Sequence, residues 1–121
     1  MVLIKDNHLV ALRDAPPNAM AAAIQSARRN SPSLRIEVEA DTVQQVEQAV
    51  AARADIVLLD NMSIEELRAS VAIARGHAKT EASGGVSLET VRAIAGTGVD
   101  YISVGAMTHS ARAVDIGLDF Y

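Results

Sequence analysis

Residues 34–41 read "LRIEVEAD". Ile36 and Val38 alternate with Glu37 and Glu39, and a period of two marks a strand whose successive side chains point to opposite faces. One face is aliphatic; the other carries two carboxylates. An α/β-barrel accommodates both, because the aliphatic face meets the surrounding helices and the acidic face turns to the barrel interior. Glu39, last in the strand, then sits at the barrel mouth. Glu37 lies one layer deeper and requires a cationic or hydrogen-bonding partner, since a lone buried carboxylate is too costly.

The rest of the chain repeats this unit. Apolar runs at Val2–Lys5, Arg35–Glu39, Ile56–Asp60, Lys79–Ser83 and Tyr101–Val104 read as strands. Between them, helices are expected from about Pro17 to Arg29, from Thr42 to Arg53, after Ser63, after Ser87 and near Thr108. Asp41 or Thr42 caps the second of these, and Ser63-Ile-Glu-Glu66 is a capping-box pattern. "ALRDAPPNA" (11–19) reads as a loop. The order βαβαβαβαβ(α) implies a parallel sheet. Strand ends recur at near-constant spacing: 21 residues from Glu39 to Asp60, 23 from Asp60 to Ser83, and 22 from Ser83 to Gly105. So regular a period indicates about five βα units of an incomplete parallel α/β-barrel. No G-x-G-x-x-G follows the first strand, which weakens a dinucleotide-binding sheet.

Composition narrows the class. The chain has 121 residues, enough for one domain with a core. Half of it is hydrophobic, with one Phe, two Tyr and no Trp, so the core is built from Ala, Val, Ile and Leu. A net charge of −4 argues against nucleic-acid binding, which needs a basic stripe. There is no cysteine, which fits a reducing cytoplasm. No apolar run approaches the ~20 residues of a membrane span, and "MVLIKDNH" lacks the layout of a signal peptide.

The strands end "LIKDNH", "IEVEAD", "LLDNMS", "EASGG" and "ISVGAMTH". In α/β-barrels the active site is assembled at these C-terminal ends. Lys5 is either a site cation or a surface lysine at a strand–loop junction. Asp6 and Asn7 fit a turn, and His8 reads as a loop residue. Glu39 and Asp60 end adjacent strands and could share one Mg²⁺, with waters and substrate oxygens completing the shell; the other reading is an ion-pair network with Lys5 or Lys79. Ser83-Gly84-Gly85 and Gly105 with Thr108-His109 are glycine turns ahead of helices, which together suggest a phosphate cradle. His109 is either a phosphate donor or an ordinary first-turn helix residue.

In this order, "VLIKDNH", "IEVEAD", "ADIVLLDNMS", "EASGGVSLETV" and "GVDYISVGAMTHS" resemble quinolinate phosphoribosyltransferase, also called nicotinate-nucleotide pyrophosphorylase (carboxylating). The resemblance runs from Met1 to about Asp119. It implies an enzyme of NAD synthesis that joins quinolinate to phosphoribosyl pyrophosphate with Mg²⁺, releasing pyrophosphate and CO₂ to give nicotinate mononucleotide. Carried over by motif, Lys5 contacts the substrates, Glu39 and Asp60 form the acidic pair at ribose and metal, and Ser83, Gly84, Gly105 and His109 hold the ribose 5′-phosphate. The family's N-terminal domain, its early barrel strands with an Arg-rich substrate site, and its His-Arg element have no counterpart here. The expectation is therefore the C-terminal part of the barrel, inactive by itself and associating as a homodimer or higher homo-oligomer. A different phosphoribosyl-handling barrel, such as nicotinate phosphoribosyltransferase, and a non-catalytic half-barrel that binds phosphate are the alternatives.

Overall fold

Five strands line up side by side in chain order in the computed structural model, which describes residues 1–109. They are β1 (Val2–Ile4), β2 (Ile36–Ala40), β3 (Ile56–Asp60), β4 (Lys79–Ser83) and β5 (Tyr101–Ile102). All four pairings are parallel. Six helices join and follow them: α1 (Asp6–Ala11), α2 (Ala19–Asn30), α3 (Val43–Ala51), α4 (Ile64–Ala74), α5 (Val91–Ala95) and α6 (Ala106–His109). The order never doubles back, as it would at the switch point of a doubly wound sheet. The five strands are a sector of an α/β-barrel.

The helices pack on one face. Ile36, Val38 and Ala40 of β2, Val57 and Leu59 of β3, and Ala82 of β4 are buried there with Met20 and Ile24 of α2, Val46 and Ala49 of α3, and Leu67 of α4. The opposite face carries Leu3, Glu37, Glu39, Leu58, Asp60, Glu81 and Ser83 along the strands. Leu3 and Tyr101, near its two edges, are exposed. Among the described residues no helix is long and apolar enough to cross a membrane.

Local chemistry explains most boundaries. Thr42 Oγ1 accepts the Gln45 N–H at 3.2 Å, so Thr42, not Asp41, caps α3. Ser63 and Glu66 close the expected capping box on α4. Asn18 Oδ1 accepts from Ala21 N–H at 2.8 Å, which starts α2 at Ala19 rather than Pro17. Two expectations fail. Asp6, Asn7 and His8 are not turn or loop residues but the first turn of α1, where His8 Nδ1 accepts the Lys5 N–H at 3.0 Å. No residue of α1 is buried, so no apolar periodicity announced it. The helix expected just after Ser87 begins only at Val91, because Ser87–Thr90 forms a turn held by Ser87 N–H donating to Thr90 Oγ1 at 2.9 Å.

At the N-terminal ends of the strands, two aspartates repeat one device. Asp55, just before β3, accepts the Ile36 N–H at 2.7 Å and pairs with Arg28 at 3.0 Å. Asp100, just before β5, accepts the Thr80 N–H at 2.9 Å and pairs with Lys79 at 2.5 Å. Each carboxylate clamps the start of the preceding strand. Lys79 is thereby engaged here and does not join the acidic residues at the mouth, so of the two cations in the ion-pair reading it is Lys5 that reaches Glu39.

The Lys79 ammonium and the Thr80 N–H hold the Asp100 carboxyl below its ordinary value. The stabilisation is present above about pH 4 and is lost as pH falls through the lowered value. Asp100→Ala, which strands the Thr80 N–H, is expected to cost about 1–3 kcal/mol in urea unfolding. Lys79→Ala, which removes only an exposed ion pair, is expected to cost clearly less than Asp100→Ala. Equal losses would assign the stability to the ion pair instead of the backbone clamp.

Candidate active site at the strand ends

Strand register places the acidic residues. Glu39 lies level with Leu58, and Asp60 stands two residues further along β3, level with Ser83. Side chains two apart on a strand share a face, so Glu39 and Asp60 converge at the C-terminal edge. Asp41 follows one step beyond the end of β2. Single carboxylate oxygens of Glu39, Asp41 and Asp60 all lie within 4.8 Å of one another. Asp41 had been weighed only as a helix cap. Freed of that role by Thr42, its own N–H donates to Gln45 Oε1 at 2.6 Å and its carboxylate joins the cluster. The motif "EAD" was the available signal, because a carboxylate just past a strand end can reach the mouth.

Glu39 and Asp60 are half-buried and Asp41 is exposed; Glu39 carries the shielded atom. Its Oε2 is shielded from solvent and accepts no hydrogen bond among the described residues. Lys5 Nζ, on a largely exposed side chain, approaches it at 3.9 Å, which is an ion-pair contact but too long for a hydrogen bond. Burial pushes the Glu39 carboxyl up; Lys5 opposes that, and Asp60, Asp6 and Asp41 add to it. Asp60 is better satisfied, since Asn61 Nδ2 donates to its Oδ2 at 2.7 Å. An anionic pocket whose shielded carboxylate oxygen accepts no hydrogen bond among the described residues suits a hard divalent cation such as Mg²⁺, which takes oxygen ligands. The donors present fit that ion.

Glu37 is nearly fully buried one layer down, and among the described residues no cation pairs with it. Its neighbour is Glu81 of β4, whose carboxylate in turn accepts the Ser103 hydroxyl. Burial, then the charge of Glu81, pushes the Glu37 carboxyl up. Of the cationic or hydrogen-bonding partner expected for Glu37, the structure supplies the second kind, the Glu81 carboxyl.

The glycine turns end β4 and β5. Gly84 and Gly85 both have positive φ, +82° and +59°. Ser83 is half-buried directly before them. No helix N-terminus stands immediately behind this turn, because α5 starts at Val91, so the helix-dipole part of the phosphate expectation is not realised there. Gly105 follows β5, and its carbonyl accepts from Thr108 N–H at 2.9 Å and Thr108 Oγ1 at 3.1 Å. His109 ends α6, and its side chain lies outside the described residues, as does everything from Ser110 onward. A well-formed groove of about 510 Å³, lined by Asp55, His77, Lys79 and Asp100, lies at the opposite ends of the strands.

Residues 1–119 match the family described as quinolinate phosphoribosyl transferase, C-terminal domain. The chain is 42% identical over 120 residues to nicotinate-nucleotide pyrophosphorylase [carboxylating] of Mycobacterium leprae, covering 97% of this chain and 40% of that one. It is 35% identical over 125 residues to the Homo sapiens protein of the same name, again covering 40% of it. The crystal structure of nicotinate-nucleotide pyrophosphorylase from Ehrlichia chaffeensis superimposes with a TM-score of 0.82 at 45% identity, over 98% of this chain and 41% of that one. The chain thus spans about 40% of the length of the curated relatives it matches.

A raised carboxyl means that folding favours the protonated form. The stability linked to Glu37 is fully present below about pH 4 and is lost as pH rises through the raised value. Glu37→Gln keeps the shape and cannot ionise. Its thermal midpoint is expected to exceed that of the parent chain at pH 7 and to converge with it near pH 4. A gap that does not change with pH would show that Glu37 is uncharged or well paired throughout.

Proposed function

This chain belongs to the quinolinate phosphoribosyl transferase family, as its C-terminal domain, and from that premise we propose that its strand ends carry the ribose-phosphate wall of a site that transfers a phosphoribosyl group to quinolinate. The reaction breaks the bond between ribose C1 and the pyrophosphate oxygen, forms a bond from C1 to the pyridine nitrogen, and breaks one ring carbon–carboxyl bond to release CO₂, the ring carbon taking up a proton from water in its place. The products are nicotinate mononucleotide, pyrophosphate and CO₂. The observation that carries this reading is the shielded Oε2 of Glu39, which accepts no hydrogen bond among the described residues, beside Asp60 at the barrel mouth.

Each residue has a defined part. Glu39 and Asp60 hold Mg²⁺, with Asp41 close enough to contribute a third oxygen. Held there, Mg²⁺ would supply charge neutralisation at the leaving pyrophosphate. The same carboxylates favour positive charge as it develops on the ribose, the general logic of preorganised electrostatic stabilisation. Lys5 offsets their charge and offers an ammonium to a substrate carboxylate or phosphate. Ser83, Gly84, Gly105 and His109 receive the 5′-phosphate, since chain without side chains brings backbone N–H groups close to an anion.

Among the described residues the sheet ends at β1 and β5, and such edges with exposed Leu3 and Tyr101 favour association. We therefore assign the remaining wall of the site to residues outside this sector and the assembly to a homodimer or higher homo-oligomer. A cysteine-free chain is compatible with a cytoplasmic setting.

Isothermal titration with phosphoribosyl pyrophosphate and Mg²⁺ is expected to show binding that Glu39→Gln and Asp60→Asn each weaken by about tenfold or more, the scale of one lost contact to a charged group. Wild-type affinity in both variants would refute the acidic site. The 121-residue chain alone is expected to make no nicotinate mononucleotide from quinolinate. Product formation would show that this sector holds the complete site.

A further inference from the structure

Asn61 stands between the two halves of the site, and neither half was assigned to it. It follows Asp60 at the end of β3 in the left-handed region, with φ of +52°. That conformation costs roughly 1–2 kcal/mol for a residue with a Cβ, although Asn tolerates it better than most. Three contacts accompany it. The Asn61 N–H donates to the Ser83 carbonyl at 3.0 Å. Nδ2 donates to Asp60 Oδ2 at 2.7 Å. The carboxamide also fills the space beside Gly84: a Cβ built at Gly84 would lie 2.1 Å from Asn61 Oδ1, 2.5 Å from Cγ and 2.9 Å from the backbone N.

We infer that Asn61 is a positioning residue that locks the Asp60 carboxylate to the Ser83–Gly85 turn, so that the metal-binding and phosphate-binding parts of the site hold one fixed geometry. Asn61 touches no substrate in this assignment. Its amide occupies one oxygen of Asp60 and so fixes the direction in which the other points. Its backbone N–H and its carboxamide set where the chain passes at Ser83 and Gly84. Gly84 therefore lacks a side chain for two reasons: its φ of +82° and the volume Asn61 takes. A hydrogen bond behind a ligating carboxylate is a recurrent device, and its loss costs about 10–100-fold in metal affinity. An aspartate or leucine at 61 would fail for separate reasons, charge against Asp60 in the first case and shape in the second.

The metal part of the inference rests on the functional reading above, so the test has one arm that needs no ligand. Asn61→Gly keeps access to positive φ and removes the whole side chain, so it separates positioning by the carboxamide from mere turn formation. Without ligand, the Gly84 and Gly85 amides of Asn61→Gly are expected to shift in ¹⁵N-resolved NMR and to exchange with solvent several-fold faster. With Mn²⁺ as the probe, followed by water-proton relaxation, the same variant is expected to bind about tenfold more weakly while its circular dichroism matches the parent chain. Asn61→Ser, which keeps a short polar side chain, serves if Asn61→Gly does not fold. Gly84→Ala is expected to weaken Mn²⁺ binding more when residue 61 is Asn than when it is Gly, because the contacts with Oδ1 and Cγ are lost with the side chain while the backbone contact at 2.9 Å and the strain of a φ of +82° remain in both. Unchanged Gly84 and Gly85 amides in Asn61→Gly would overturn the inference. So would unchanged Mn²⁺ affinity or additive effects at 61 and 84. If the parent chain binds no Mn²⁺, the metal reading falls, and the amide arm alone decides whether Asn61 seats the turn.

Discussion

The helices claim Ile36, Val38, Val57, Leu59 and Ala82, so every polar group on the alternate positions of the same strands must turn to the other face. Burying an aliphatic strand face stabilises by roughly 25 cal/mol per Å² of apolar area removed from water. That term fixes the orientation of the sheet and leaves Glu37, Glu39, Asp60 and Glu81 no alternative direction. The acidic interior follows from how the core is satisfied.

The two ends of the strands put carboxylates to opposite uses. At the N-terminal ends, Asp55 and Asp100 are each satisfied by a backbone N–H and a cation, and they stabilise the pairing of neighbouring strands. At the C-terminal ends, Glu39, Asp41 and Asp60 face one another with Lys5 alone nearby, and one buried oxygen of Glu39 has no donor. Mutual repulsion and burial there work against the isolated fold and favour a cation. This is the usual division in an α/β-barrel, where one rim serves stability and the other serves chemistry.

Beneath the mouth, the Glu37–Glu81–Ser103 arrangement extends acidic character one layer into the sheet. It draws on three different strands or strand ends. Groups so arranged are set by register, and a slip of one residue would turn them toward the helices.

Much was legible from local pattern. Strands β3 and β4 fall where alternation and spacing predict them, and the caps of α3 and α4 follow from Thr42 and from Ser63 with Glu66, because a cap is made within four residues of itself. The parallel, sequential order follows from a constant period, and the inward face of Glu37 and Glu39 follows from alternation alone. Helix α1 was not legible, because Leu9 alone of its residues packs half-buried on the core, and a single position leaves no periodic trace. Three juxtapositions were decided only in three dimensions: Lys79 with Asp100, Glu37 with Glu81, and Asn61 in the space beside Gly84. Each joins residues more than 20 positions apart, and its geometry depends on strand register and side-chain volume. The sequence by itself determined which residue types reach the strand ends; the tertiary structure decided which of them touch, because contact across parallel strands is set by packing between segments that no local pattern links.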